Sequence, residues 1–291
     1  MYKLRQTLAR VYAGAFVFYM LIPLVIMAAA AFNDNKTPSV VPWKGFTWKW
    51  FEALWADDRM WHAFQNTLLV ALAVALISVI VGTAAAILIN SVSGNLRSVL
   101  YGTMISTILI PGAVIGISTM IMWTKMGGAL FGAEKPFPFI PGLHLSVLGQ
   151  VSYIAAIVML LVLARLQSFD QGLEEAALDL GATHGQVMRR ILLPHLYPAI
   201  GAGAAVAFFQ SIENFNVTQF TRGGADTLTV YVFSKVRSGI TPTINALALM
   251  LICVTLALAI VYEIKRRRSA SLEAAREAEA RRAAALEEAV I

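Results

Sequence analysis

A group of polar side chains stands at the end of an otherwise apolar run, and one of its members is a carboxylate. The group consists of Gln210, Ser211, Glu213, Asn214 and Asn216. Polar groups in hydrocarbon must face protein or water, because an unsatisfied group there costs several kcal/mol. We therefore expect these side chains to point into a helix bundle, where Glu213 would favour a passing positive charge. Hydrogen bonding between helices is the alternative role.

A second group lies in a polar segment, residues 167–195, between two apolar runs. Its members occur in the order Glu174, Glu175, Ala176, Ala177, Gly181, Ile191, Leu193 and Pro194. Asp170 is placed to cap a first helix, Gly181 suits the end of that helix, and a second helix is predicted from about Thr183 to Leu193, before Pro194. The small apolar face of such a unit suits insertion into another protein's groove. An ordinary amphipathic connection between membrane helices is the alternative.

The composition indicates that both groups belong to a membrane protein. Hydrophobic residues make up 58% of the chain, charged residues 14%, and the mean hydropathy is +0.69. Six apolar segments have roughly the 20-residue length that a bilayer requires. They are Val11 to Phe32, Gln65 to Ile89, Val99 to Thr124, Leu148 to Leu166, Leu196 to Phe215 and Ile244 to Tyr262. The sequence therefore predicts an all-α integral membrane fold with six transmembrane helices.

Lysines and arginines cluster in the connections on one side of these spans. The clusters are Lys3, Arg5 and Arg10; Arg97; Arg165, Arg189 and Arg190; and Lys265 to Arg268. Because such connections stay in the cytoplasm, we expect both termini of a multi-pass membrane protein there. The net charge of +6 is then a topology signal. No nucleic-acid partner is expected, and the lipid bilayer is the surrounding medium.

This topology divides the chain into three parts. Residues 1–10 form a cytoplasmic N-terminus, residues 11–263 a transmembrane domain that includes the polar segment, and residues 264–291 a cytoplasmic tail. The first apolar segment lacks a convincing small-residue cleavage site, so we interpret it as a retained membrane helix. The alanine-rich tail has Glu and Arg at helical spacing, which predicts a dispensable solvated helix. Contact with a partner is the alternative role of this tail.

The residues that many enzymes and pumps need are missing from the sequence. Cys253 is the only cysteine and the four histidines are dispersed, so no metal site is expected. No G-x-x-x-x-G-K-[ST] loop is present, so the chain is expected to bind no cofactor and to hydrolyse no ATP by that route. Glu213 is essentially the only ionisable residue in the predicted spans, whereas ion-coupled transporters carry several. A path subunit driven from outside is favoured, with an ion-coupled secondary transporter and a membrane-embedded enzyme as alternatives.

Pro111, Gly112 and Gly116 fall within the predicted third span. Gly112 and Gly116 form a small-xxx-small face that lets helices approach closely, and Pro111 frees a carbonyl that can line a path. We expect helix packing as their main role, with gating flexibility as the alternative.

The first external loop is rich in tryptophan. Trp48, Phe51 and Trp55 recur at helical spacing, which predicts a short helix. Because indole rings favour the membrane–water interface, we expect this helix to anchor the loop at the outer interface. A stacking platform for carbohydrates or bases is the alternative.

Several segments, in their order along the chain, resemble type I ABC importer permeases. They are FND at 32–34, GFTWKWFEAL at 45–54, AFQNTLLVA at 63–71, LIPGAVIGIS at 109–118, EEAALDLGA at 174–182 and TPTINALALM at 241–250. The pattern Glu175-Ala-Ala, three residues, Gly181, nine residues, Ile191-x-Leu-Pro resembles the EAA motif of their cytoplasmic coupling loop. The resemblance covers roughly residues 10–263.

This resemblance implies a location in the bacterial cytoplasmic (inner) membrane, a fold and a set of partners. The fold is a five-helix core plus an N-terminal helix, with a cytoplasmic coupling helix-turn-helix. The partners are a second homologous permease subunit, two cytoplasmic ATPase subunits that use ATP and Mg, and an extracytoplasmic substrate-binding protein. Residues 174–194 would dock into an ATPase subunit.

Within the family, the chain most resembles the second permease of spermidine/putrescine-class importers, which implies a polyamine or related amine-containing cargo. Those relatives carry two successive aspartates after a serine in the fifth span. Here Ser211 is followed by Ile212, Glu213 and Asn214. One acid remains and an amide takes the other position, so a zwitterionic amino compound stays open as cargo.

Overall fold

The structure is a computed structural model that describes the backbone of residues 2–288 and the side chains of residues 5–257, 259–268 and 271. Among these described residues, six helical segments are long and apolar enough to cross a membrane. Their bounds are Arg5–Phe32, Asp58–Ser91, Gly112–Phe131, Leu143–Leu166, His184–Ile212 and Pro242–Arg268. The predicted all-α fold with six membrane helices is confirmed.

The helices are numbered in chain order. They are α1 (Tyr2–Phe32), α2 (Lys49–Trp55), α3 (Asp58–Ser91), α4 (Gly94–Leu109), α5 (Gly112–Phe131), α6 (Leu143–Leu166), α7 (Gln171–Asp179), α8 (His184–Val187), α9 (Leu193–Ile212), α10 (Thr218–Thr221), α11 (Leu228–Ser238) and α12 (Pro242–Glu288). A π-helical segment, Met188–Leu192, joins α8 to α9.

The chain divides into two compact units. One unit, residues 57–234, contains both groups of polar residues that the sequence singled out. In it α3, α6 and α9 pack against one another and enclose the main apolar core. The other unit combines residues up to 56 with those from 235 onward, and in it α12 packs against α1 and α2.

Close helix approach in the 57–234 unit depends on small residues around Val158 of α6, which is fully buried. A Cβ atom added to Gly82 of α3 would lie 2.8 Å from Val158 Cβ, and one added to Gly203 of α9 would lie 3.0 Å from Val158 Cγ1. These distances are shorter than ordinary carbon contacts. Gly82 therefore lets α3 pack on the α6 backbone, and Gly203 lets α9 pack on the Val158 side chain.

The prediction of one continuous third span from Val99 to Thr124 is wrong. Helix α4 ends at Leu109, Ile110 has an extended backbone (φ −79°, ψ 129°), and α5 begins only after Pro111. The ring of Pro111 disfavours helical backbone in the residue before it, which explains the break. The helix that spans is Gly112–Phe131, and it includes Lys125. Glu213 is therefore not the only ionisable residue associated with the spans.

The prediction that the second helix of the polar segment ends before Pro194 is also wrong. The chain stays helical from His184 to Ile212, through the π segment and into α9. A proline in a regular α-helix lacks an N–H group and clashes with the carbonyl four residues earlier. The wider π turn directly before Pro194 is where the helix accommodates this ring.

The loop between α1 and α2 is organised by Asn33, which is fully buried. Its Nδ2 donates to the carbonyl oxygens of Ser39 (2.8 Å) and Pro42 (3.1 Å), and its Oδ1 accepts from the Lys44 N–H at 2.8 Å. The predicted short tryptophan-containing helix is confirmed as α2. Its role as an interfacial anchor stays a prediction.

Helix α12 continues without a break from the sixth span into the alanine-rich tail, as far as Glu288. The helix predicted for the tail therefore agrees with the described backbone, and its solvation stays a prediction. The Glu–Arg pairs that suggested it, from Glu277 to Arg281 and from Glu279 to Arg282, lie outside the described side chains.

Candidate functional site

A cavity of about 410 Å³ opens in the 57–234 unit beside the polar end of α9. It is lined by Ile108, Ile110, Gly112, Ile115, Tyr153, Gln210, Glu213, Asn214, Phe215 and Asn216. Four of the five polar residues that the sequence grouped therefore line one cavity. The exception is Ser211.

Two interrupted helices border this cavity. The first interruption is the extended Ile110–Pro111 pair between α4 and α5, and the second is the non-helical stretch between Ile212 and Thr218. The sequence placed residues 213–215 within the fifth span, but α9 ends at Ile212. Interrupted helices present unpaired backbone polar groups, which a membrane protein tolerates only where they face protein or a water-filled space.

Glu213 caps the C-terminal end of α9, and its N–H donates to the Phe209 carbonyl at 3.2 Å. Its side chain is exposed and forms no ion pair among the described residues. The C-terminal end of a helix carries partial negative charge, and the carboxylate adds a full negative charge at the same place. This side of the cavity therefore attracts cations.

Asn214 connects the cavity wall to α6. Its Nδ2 donates to the hydroxyl of Tyr153, and its Oδ1 accepts from the Val217 N–H at 3.1 Å. The side chain is nearly buried, so both contacts fix its orientation. Asn216 and Glu213 are exposed to the cavity, and these side chains are free to contact a solute.

Ser211 points away from the cavity into a buried polar network. Its hydroxyl donates to Gln150 Oε1 at 2.6 Å, and Gln150 Nε2 donates to Thr218 Oγ1 at 2.9 Å. The hydroxyls of Ser146 and Thr221 form a second pair at 2.8 Å. For Ser211 the geometry corresponds to the alternative role of hydrogen bonding between helices.

The three residues singled out in the third span lie at or near its break. Pro111 is the N-cap of α5, and Gly112 lines the cavity. A Cβ atom added to Gly116 would lie 2.8 Å from the carbonyl oxygen of Val217. Gly116 thus allows the chain after α9 to pack against α5.

Short-range hydrogen bonds cap the helices of the polar segment, residues 167–195, which we call the coupling segment after its predicted role. Asp170 Oδ1 accepts from the Gly172 N–H at 2.9 Å and caps α7. At the other end of α7, the Gly181 N–H donates to Leu178 and the Ala182 N–H donates to Ala177, which is a Schellman motif. The φ of Gly181 is +85°, a conformation that side chains with a Cβ disfavour.

The second half of the coupling segment begins with a capping box. The Gln186 N–H donates to Thr183 Oγ1 at 3.3 Å, and the Thr183 N–H donates to Gln186 Oε1 at 2.8 Å. Leu180, at the corner between the two helices, is 89% exposed, and Leu173 is 54% exposed. Such exposure leaves an apolar surface available to another protein.

The remaining predicted coupling residues differ in their exposure. Glu175, Ala176 and Pro194 are exposed, whereas Glu174, Ala177, Ile191 and Leu193 are half-buried.

A charged cluster that the sequence did not reveal ties the chain after α10 to the start of α3. Asp226 accepts from Arg59 and from Arg222, each at 2.6 Å. Nearby, the hydroxyl of Tyr231 donates to Asp57 Oδ2 at 2.7 Å. Burial and the Asp57 carboxylate raise the pKa of Tyr231, so this phenol stays protonated and acts as the donor.

Two polar residues of α6, Tyr153 and Gln150, help to shape the cavity and were not predicted from the sequence. Each is a polar residue within a strongly apolar span, and this was the available signal. A lone amide in hydrocarbon is costly unless it has partners, which Gln150 finds in Ser211 and Thr218. Gln150 is 61 residues from Ser211 and 68 residues from Thr218, and residue spacing gives no signal over such separations.

The family model described as "Binding-protein-dependent transport system inner membrane component" matches residues 78–270. The chain belongs to this family. It is 32% identical to the putrescine transport system permease protein PotI of Escherichia coli over 236 residues, which cover 80% of this chain and 82% of PotI. It is 29% identical to the spermidine/putrescine transport system permease protein PotC of Haemophilus influenzae, over 88% of this chain and 96% of PotC.

Solved structures share the fold at low identity. A chain of a bacterial ABC transporter involved in import of the acidic polysaccharide alginate has a TM-score of 0.72 at 18% identity, with 91% of this chain and 96% of that chain covered. A chain of the MetNI methionine ABC transporter has a TM-score of 0.54 at 17% identity, with 70% and 93% covered. These likenesses support the fold. The family match and the membrane helices make the chain a multi-pass inner-membrane component of a binding-protein-dependent transport system.

Proposed function

We propose that this permease forms half of the translocation path for a small polar, amine-containing solute, a polyamine or a related compound. The observation that carries the proposal is Glu213. It is a carboxylate without an ion-pair partner among the described residues, and it lies at the negative end of α9 in a cavity lined by amides. An ammonium group matches that charge and the hydrogen-bond acceptors around it. The polyamine systems to which PotI and PotC belong support the same class of cargo.

A zwitterionic amino compound is the second candidate, because of the N-terminal end of α5. This end begins at Gly112, lines the same cavity and carries partial positive charge. A solute with both an ammonium and a carboxylate would use Glu213 and the α5 end together. A simple diamine would use Glu213 alone.

The proposed partners are a second homologous permease, two cytoplasmic ATPase subunits and an extracytoplasmic substrate-binding protein. Exposed Leu173 and Leu180 support docking of the coupling segment into an ATPase subunit. The chain itself is proposed to bind no cofactor and to have no ATPase site, so ATP and Mg would act on the partner subunits. The basic clusters support an orientation with both termini and the coupling segment in the cytoplasm.

The test is the exchange of Glu213 for an uncharged isostere. In vesicles that contain the assembled importer and its binding protein, we expect Glu213→Gln to lower putrescine uptake at least about tenfold, because the charge attraction is lost. Glu134→Gln, at an exposed acid in the loop before α6, serves as the matched control and should leave uptake unchanged. Unchanged uptake in the Glu213 variant would contradict the proposal.

The cargo itself is measured separately. Mass spectrometry of the small molecule that co-purifies with the binding protein should find a diamine or polyamine. An amino acid would favour the zwitterion, and an anion such as sulfate would eliminate both candidates.

A further inference from the structure

Val217 follows the cavity-lining residues 213–216 and is fully buried between the membrane helices α5 and α6. We call residues 213–217 the cavity stretch. Three glycines surround Val217, namely Gly112 and Gly116 of α5 and Gly149 of α6; we refer to them as the glycine socket. A Cβ added to Gly149 would lie 2.7 Å from Val217 Cγ1, and one added to Gly112 would lie 3.7 Å from Val217 Cγ2. The socket is therefore shaped to receive this side chain.

Gly116 meets a different part of the same residue. A Cβ added there would lie 2.8 Å from the carbonyl oxygen of Val217 and 3.0 Å from its Cα atom. Two members of the socket thus contact side-chain atoms of Val217, and the third contacts its backbone. Only a clash with the side chain can be relieved by shortening Val217.

The stretch that Val217 ends lies between α9 and α10. Its first two residues, Glu213 and Asn214, still donate their N–H groups to carbonyls of α9. The position of residues 215–217 depends on tertiary contacts. The Val217 N–H donates to Asn214 Oδ1, so the place of Val217 determines where Asn214 lies. Asn216 is its direct neighbour in the chain, and Gly112 also packs against Asn216, with its added Cβ 3.1 Å from Asn216 Cβ.

We propose that Val217 and the glycine socket are positioning elements that set where Asn214 and Asn216 stand in the cavity, and through them the apparent affinity for the solute. Val217 is a positioning residue because it does not line the cavity itself. The affinity part of the proposal rests on the cavity being the substrate path. The positional part does not, because it concerns the packing of residues 213–217 against α5 and α6.

The experiment uses the assembled importer. In this chain, Cys253→Ser removes the only cysteine and Asn216→Cys introduces a label site, and the label is read on the separated chain. Labelling by a water-soluble maleimide reports the position of residue 216 in this background. Putrescine uptake is measured in the same variants with Asn216 retained, and it gives KM and the maximal rate. The variants are Gly149→Ala and Gly116→Ala, each alone and with Val217→Ala. Gly201→Ala is the matched control, because a Cβ there meets nothing within 4 Å.

We expect Gly149→Ala to change the labelling rate by at least about fivefold and to raise KM more than it lowers the maximal rate, because residues in direct contact are strongly coupled. Adding Val217→Ala should bring both values back to within about twofold, since the clash involves a side-chain methyl group. Val217→Ala should not rescue Gly116→Ala, whose clash is with backbone. The Gly201 variant should behave like the parent.

Three results would overturn the proposal. The first is a Gly149 variant that matches the Gly201 control. The second is failure of Val217→Ala to rescue Gly149→Ala, and the third is equal rescue of both glycine variants. If Gly149→Ala does not assemble, recovery of assembly by Val217→Ala becomes the readout, and no recovery counts against the proposal. A normal Glu213→Gln transporter combined with the expected labelling pattern would reject only the cargo assignment.

Discussion

The coupling segment and the cavity-lining stretch are both irregular pieces of the chain, but they are held in place by opposite means. In the coupling segment, the caps at Asp170, Gly181 and Thr183 are satisfied by residues at most five positions away. The cavity stretch depends on α5 and α6, through Gln150, Tyr153 and the glycine socket. The helix ends of the first are therefore fixed locally, whereas the shape of the second depends on its neighbours.

This difference matches the tasks that we propose for the two regions. A part that docks into a moving ATPase subunit needs internal rigidity and an exposed apolar surface. A part that surrounds a passing solute needs a shape that responds when the helices around it shift. A continuous helical stretch, His184–Ile212, begins in the coupling segment and ends directly before the cavity stretch. It has 29 residues and is about 43 Å long at 1.5 Å per residue.

The largest effect is expected from breaking the local corner. Gly181→Val places a β-branched side chain at a φ of +85°, which costs about 1–2 kcal/mol or more and disrupts the Schellman motif. Uptake by the assembled importer should fall more than about tenfold. Because the change is confined to the coupling segment, membrane insertion and labelling at position 216 should stay normal.

Gly185→Ala is the control for this variant. Gly185 lies in helix α8, and a Cβ there meets nothing within 4 Å, so alanine should be harmless. Parent-like uptake in Gly181→Val would mean that the corner does not transmit motion. Altered labelling at position 216 would mean that the two regions are not structurally independent.

The second prediction breaks the cavity stretch instead. Gln150→Leu leaves the hydroxyls of Ser211 and Thr218 without their long-range partner, and each loss costs about 1–3 kcal/mol. We expect a clearly lower unfolding temperature of the protein in detergent. The local capping contacts within the coupling segment should be unaffected. Circular dichroism during heating measures the change.

Two comparisons sharpen this result. Ser152→Ala removes only a hydrogen bond to the carbonyl three residues earlier on α6, and it should change stability by less than about 0.5 kcal/mol. Replacing all three partners, with Gln150→Leu, Ser211→Ala and Thr218→Val together, should recover part of the loss, because no buried polar group is then left unpaired. A triple variant less stable than Gln150→Leu would show that packing, rather than hydrogen bonding, dominates at this site.

The sequence predicted local features well and long-range features poorly, which is the same division between the coupling segment and the cavity stretch. The caps at Asp170 and Gly181 were predicted, since a cap is a relation between neighbours in the chain. The group Gln210 to Asn216 was recognised by composition, but its separation into cavity residues and the inward-facing Ser211 depends on α6. The break at Pro111 was underestimated because hydropathy runs unchanged across it. The Asp226 cluster joins residues 167 positions apart, a distance at which spacing carries no signal.

The smallest effect is expected at the second cap of the coupling segment. Thr183→Ala removes the side-chain acceptor of the Gln186 N–H, which costs about 1 kcal/mol of local helix stability. Because α8 continues into the π segment and α9, the remaining helix should hold most of its shape, and uptake should fall only about two- to fivefold. Thr183→Ser retains the hydroxyl and should restore uptake. Measured side by side in vesicles, a loss in Thr183→Ala as large as that in Gly181→Val would mean that the segment works as one cooperative unit, and equal loss in Thr183→Ser would rule out capping as the cause.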